Sequence, residues 1–364
     1  MKQSTADLKD KIKKAQRKKD KINNEWYSIR SAIGNDWAMF YFLIGGREAG
    51  KSYAVTNFYV RQFIKFGRPF YWLRLTEESA AKLLNNGAAK LVDPDLRRKF
   101  NLDLSTNGDI VYQVLERDDK GKILKKKMMA RVMALSTFYN DKGSGLFDKD
   151  FLNDPNMYYN ICLDEMNREK SEKNSFDIVY AFTNQLENLI RSTKKKVRII
   201  CIGNTLEEAS DILCAFNFIP EEFGRFKLKS KRAIIDYMQP TEAYLARRKG
   251  TVADILMPNA STFTNKVITD NSLVYTKRVI RPTAIIKFSK DKDDWFTVWD
   301  SNIIAKYNGE NVKVIPMRPY MDEVFNSILR NNIYEIFDNR GYRFRNLVTF
   351  KFFQKNLELL RPKK

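Results

Sequence analysis

The chain has 364 residues, enough for two domains that each bury a core. Lys and Arg number 65 against 44 Asp and Glu, a net charge of +21 that points to a polyanionic partner, nucleic acid first. The absence of histidine excludes His-based triads, His metal ligands and His general bases. Cys162, Cys201 and Cys214 lack CxxC spacing, and two of them lie inside apolar runs and read as small buried residues of a reducing compartment. No apolar run reaches membrane-spanning length and the N-terminus is charged rather than signal-like, so a soluble, intracellular protein without membrane contact is expected.

Residues 5 to 33 read as a basic helix, with Lys9, Lys11, Lys13, Lys14, Arg17, Lys18, Lys19 and Lys21 crowded beside an apolar stripe that includes Leu8, Ile12, Trp26 and Ile29. The apolar run Met39 to Ile44 then predicts a buried strand. It leads into Gly45-Gly46-Arg47-Glu48-Ala49-Gly50-Lys51-Ser52, followed by Tyr53 and a run of helical spacing through Val55, Phe58 and Ile64. Strand, glycine-rich loop, helix is the context that makes this spacing a phosphate-binding loop. Gly45 and Gly50 let the backbone turn tightly, and the helix start brings unpaired N–H groups to a polyanion. Lys51 can reach the β- and γ-phosphates of ATP, and Ser52 can offer its hydroxyl to Mg2+.

Pro69 to Leu75 predicts a second buried strand, with Arg74 near its end. Residues 77 to 100 look helical with a break near Asp93-Pro94. Strands over Ile110 to Leu115 and Lys127 to Ser136 flank the turn chemistry of Asp118-Asp119-Lys120-Gly121. Thr137 to Met157 reads as a long loop, in which Lys142 and Lys149 are the cations best placed to touch a DNA backbone. Tyr159 to Leu163 is a buried strand ending in Asp164-Glu165. That arrangement offers one carboxylate to hold Mg2+ and a second to orient the attacking water.

A helix over Ser175 to Arg191 ends in a cationic cluster, where Arg191 is the first candidate for an arginine finger given to a neighbouring subunit. Val197 to Gly203 is another buried strand, and Asn204 at its end is placed to sense the γ-phosphate or the water. Alternation continues to Asp236-Tyr237, after which residues 239 to 258 read as a partly helical linker carrying Arg247-Arg248-Lys249. The remainder predicts a small α+β domain, with strands over Ala284 to Phe288, Trp295 to Trp299 and Val312 to Ile315 and helices near 321–338 and 345–360.

With these landmarks placed, the chain resembles the DNA packaging ATPases of the small protein-primed podophages, the phi-29 type. The resemblance rests on Gly50-Lys51-Ser52-Tyr53-Ala54, on Asp164-Glu165 followed by Arg168-Glu169-Lys170, and on Val197-Arg198 leading to Asn204. It implies an α/β fold, an ASCE-type P-loop ATPase domain with a central, mostly parallel sheet and extra strands between the loop strand and the carboxylate strand. It also implies a smaller α+β C-terminal domain, a vestigial RNase H-like nuclease domain without expected activity. The boundaries would be a basic arm over 1–36, the ATPase domain over 37–238, a linker over 239–258 and the C-terminal domain over 259–364. The resemblance further implies a homo-oligomeric ring, a pentamer, docked on the portal of a prohead in the host cytoplasm and moving double-stranded DNA, with a structural RNA as a possible partner. A neighbour would supply the finger, from Arg191, Arg198 or Arg74. The competing readings are a terminase-like enzyme that also cuts DNA, through Asp291, Asp293, Asp294 and Asp300, and a nucleotide-gated nucleic-acid-binding protein.

Overall fold

The computed structural model describes residues 25–141, 158–167, 176–190, 196–204, 210–256, 273–310 and 332–360. The expectations for most of the basic arm, for Lys142 and Lys149, for Arg168 to Lys170, for Arg191 and for a strand over Val312 to Ile315 lie outside these residues.

Five apolar runs form the centre of the first unit: β1 (Phe40–Ile44), β2 (Phe70–Arg74), β6 (Tyr159–Asp164), β7 (Val197–Gly203) and β9 (Ala233–Tyr237). They are near-continuous hydrophobic runs, the composition of strands covered on both faces in a parallel sheet. β3 (Leu104–Asn107), β4 (Ile110–Arg117), β5 (Ile123–Ala134) and β8 (Gly224–Leu228) complete a nine-stranded sheet in the order β3-β4-β5-β2-β6-β7-β1-β9-β8. From β5 to β9 every neighbouring pair is parallel, while β3, β4 and β8 are antiparallel edges. The expected mostly parallel α/β sheet is therefore present. β7 separates β1 from β6, so the loop and the paired carboxylates leave strands that are one apart.

Alternation decides which side chains meet the helices. Tyr41, Leu43, Phe70, Trp72, Cys162, Ile200 and Ile202 share one buried layer with Val55, Tyr59, Val60 and Phe63 of the helix Lys51–Phe66. Tyr59 also donates its hydroxyl to the carbonyl of Ile161, 2.8 Å away, pinning that helix to β6. The break read near Asp93-Pro94 is real: one helix spans Glu77–Ala88 and a second, with Pro94 at its first position and Asp93 capping it, spans Pro94–Phe100.

Two strands of this sheet depart from the sequence pattern. β3 is a four-residue, half-exposed polar edge, and β5 begins at Ile123 because its first half is an exposed hairpin arm rich in lysine. The turn between β4 and β5 is held by Asp118, whose carboxylate accepts from the amides of Lys120 and Lys122.

The second unit contains residues 210–221 together with the described part of the C-terminal region. A sheet of β10 (Pro282–Lys287), β11 (Trp295–Trp299), β12 (Ile303–Lys306) and β13 (Arg343–Phe344) packs with the helix Leu347–Leu360. The short helix Asp211–Ala215, which the sequence places in the first domain, belongs here, and its Cys214 thiol feels the charges of Lys351 and Lys355. Residues 239–256, expected as a linker, are part of the first unit. No helix among the described residues is long and apolar enough to cross a membrane.

Phe353 is fully buried and meets the rings of Phe288, Phe296, Phe337, Tyr342 and Phe344. Phe353→Ala should cost about 3–5 kcal/mol, as expected for an aromatic cavity in a packed core. A urea titration with an unshifted midpoint would contradict this packing.

Candidate functional site

The parallel register brings the C-terminal ends of the central strands into one line. Ile44 lies opposite Gly203, and Asp164 opposite Ile202, while Leu73 opposite Leu163 leaves Arg74 beside Asp164. Ligands bind outside the carboxyl ends of such strands. A cavity of about 420 Å3 opens there, lined by all of Arg47 to Tyr53 together with Arg74, Asp164, Glu165, Ile202 and Asn204.

The loop turns at Gly50 as its glycine spacing predicts, but not at Gly45. Gly50 adopts φ 82° and starts the helix Lys51–Phe66, whose first turn carries no side-chain cap. A Cβ on Gly50 would stand 2.9 Å from the ring of Trp26. Gly45 has no such backbone demand; its lack of a Cβ instead makes room for the sulfur of Met238, which a Cβ would approach to 2.9 Å. Lys51 is buried, and its ammonium donates to the carbonyls of Gly45 and Gly46, 2.7 Å from each. Burial pushes its pKa down to about 8, against the opposing pull of Asp164.

Asp164 closes β6 and is also buried. Ser52 Oγ donates to its Oδ1 at 3.3 Å, and Arg74 Nη2 lies 2.9 Å from its Oδ2. The other end of the Arg74 guanidinium pairs with Glu165. Burial raises the Asp164 pKa above the ordinary carboxylate value, with Arg74 and the Ser52 hydroxyl pulling it back. Glu165 is half exposed and adopts φ 61°, as does Glu48 on the loop. A left-handed backbone outside glycine costs about 1–3 kcal/mol and concentrates at functional sites.

Among the described residues, the structure therefore gathers Arg47 to Tyr53, Asp164, Glu165 and Asn204 around one space, while Gly45 and Gly46 do not line it and meet it only through their carbonyls, which hold Lys51. Two of the finger candidates are described, and both are engaged within their own chain. Arg74 bridges the two carboxylates. Arg198 stands at the opposite end of β7, over the rings of Phe58 and Tyr158, with Asn160 as a hydrogen-bond partner. The bridging role of Arg74 was missed, because sequence cannot show that β2 lies beside β6. In the second unit, Asp300 accepts from the amides of Ile280 and Arg281, Asp294 accepts from the Ser289 hydroxyl, and Asp291 caps a short turn.

A model of the family described as Podovirus DNA encapsidation protein (Gp16) matches residues 23–339. The chain belongs to this family. The DNA packaging protein of Bacillus phage phi29 is 26% identical over 247 residues, 65% of this chain and 64% of that relative's own length. The bacteriophage Phi-29 viral genome packaging motor assembly contains a chain of the same fold, with TM-score 0.60 at 21% identity, covering 93% of this chain and all of that one. The Phi-28 gp11 DNA packaging motor gives TM-score 0.58 at 14% identity over 94% of this chain and 100% of that one.

The depressed Lys51 gives two opposite pH trends. Between about 8 and the ordinary lysine value of 10.5 the unfolded chain binds more protons, so the Lys51 contribution to stability rises with pH across that window. Affinity for a polyphosphate should fall over the same window as the ammonium is lost. Subtracting the unfolding profile of Lys51→Met isolates the first trend, and titration with inorganic tripolyphosphate reads the second.

Proposed function

We propose that this chain is the ATP-hydrolysing subunit of a motor that drives double-stranded viral DNA into a prohead. The observation that carries the proposal is the meeting of Lys51, Ser52, Asp164 and Glu165 around one cavity at the carboxyl edge of a parallel sheet. Family membership supports the DNA-packaging role, and the +21 charge suits a polyanionic track.

In this reading the loop amides from Gly46 to Ser52 bind the phosphates, and Lys51 moves from loop carbonyls to phosphate oxygens. The Ser52 hydroxyl and the Asp164 carboxylate are adjacent hard oxygen donors, which fits Mg2+. When bound, that ion would neutralise charge on the β- and γ-phosphates. Glu165 would orient the attacking water, and the Arg74 guanidinium would hold it aside until the nucleotide is in place. Asn204, at the end of β7, would report loss of the γ-phosphate. By family resemblance, Arg191 of a neighbouring subunit would supply the finger, and Lys142 and Lys149 would touch the DNA backbone. The working assembly would be a ring, a pentamer, on the portal of a prohead in the host cytoplasm, with a structural RNA as a further partner.

Glu165→Gln should bind ATP as the parent does and hydrolyse none of it. Turnover by that variant at the parental rate would remove Glu165 from its role. Double-stranded DNA of any sequence should stimulate ATP turnover in the parent, because a packaging motor reads phosphates rather than bases. That stimulation should fade steeply as salt rises, through counterion release. Turnover indifferent to DNA would sink the motor proposal while leaving the nucleotide site intact.

A further inference from the structure

Three consecutive carbonyls of the phosphate-binding loop are each met by a donor from outside the loop. The Tyr244 hydroxyl donates to the carbonyl of Arg47 at 2.8 Å, and Arg247 Nη2 to that of Glu48 at 2.7 Å. The amide of Tyr27 donates to that of Ala49 at 2.9 Å. Arg248, itself buried, places Nη1 2.9 Å from the Glu48 carboxylate. The guanidinium of Arg247 also stacks 3.8 Å over the ring of Trp26, the ring that stands where Gly50 has no Cβ. Tyr244, Arg247 and Arg248 all come from one helix, Glu242–Arg248, which the sequence presents as linker.

The physical need for these donors is clear. A loop that turns its amides toward a polyanion must turn carbonyls the other way, where donors from neighbouring elements can fix their direction. Glu48 moreover holds a left-handed backbone, φ 61°, that a residue with a Cβ keeps only when its surroundings impose it. The helix bonds both the carbonyl and the carboxylate of that residue. None of the three helix residues lines the cavity, so their effect on a phosphate would pass through the loop.

We infer that the helix Glu242–Arg248 shapes the phosphate-binding loop for its ligand, with Tyr244, Arg247 and Arg248 acting as positioning residues. The inference rests on the nucleotide reading of the loop given above.

The test uses the full chain and a fluorescent ATP analogue with magnesium, measuring Kd, kcat at saturation and Tm for Tyr244→Phe, Arg247→Ala and Arg247→Lys. Arg247→Ala should raise Kd about tenfold, the effect of one charge-assisted hydrogen bond, and Tyr244→Phe about threefold to fivefold. Saturated kcat should stay within about twofold, since the transition-state groups are untouched. Arg247→Lys should recover much of the lost affinity. A helix that merely supports the fold would lower Tm and leave Kd unchanged, and that result in both Tyr244→Phe and Arg247→Ala would overturn the inference. If Arg247→Ala fails to fold, Tyr244→Phe, which removes a single oxygen, decides alone. A parent chain that binds no nucleotide would overturn the nucleotide reading and the inference with it, whereas unchanged variants of a binding parent overturn the inference only.

Discussion

The structure depends on keeping opposite charges buried side by side without letting them cancel. Lys51 and Asp164 are each about 95% shielded from water, yet they are not bonded to one another. The ammonium is held by two loop carbonyls, and the carboxylate by Ser52 and Arg74. Burial weakens both charged forms, lowering the pKa of Lys51 and raising that of Asp164. Burying charge is costly even when it is partnered, and in the proposed function a polyphosphate with its counter-ion would supply both signs at once. On that reading, the energetic cost of the empty arrangement would favour the ligand.

Such an arrangement requires strands that end in register. β1 delivers the loop, β6 delivers Asp164, and β7 lies between them with Asn204 at its end, so the chemistry is spread across three neighbouring strands. Placing β2 beside β6 adds Arg74 to the carboxylates from the other side. Trp26, Tyr27 and the helix Glu242–Arg248 then meet the loop together, with Arg247 of that helix stacked on the Trp26 ring. Two glutamates with left-handed backbones, Glu48 and Glu165, border the cavity, and each is bonded to an arginine. Strain and its restraint thus occur at the same places.

Much of this was readable in advance because it is local. The glycine spacing before Lys51, the apolar run before Asp164-Glu165 and the run ending at Asn204 mark strand ends, and a strand end is a property of a few adjacent residues. Weak or split patterns were harder. β3 is four half-exposed polar residues, and β12 is too short to stand out from the turn before it. Residues 211–215 look like one more alternation of the first domain, but their apolar side chains are buried in the second unit.

The sequence by itself determined where the glycine-rich turn lies between strand and helix, where the carboxylate pair closes its strand, and the parallel α/β class, since each follows from residue order within one element and its flanks. Only the tertiary structure decided that Arg74 bridges Asp164 and Glu165 and that the supposed linker grips the loop. Those facts join residues separated by about ninety to two hundred positions along the chain. Hydrophobic periodicity states which face of an element is buried, but not which distant element will cover it.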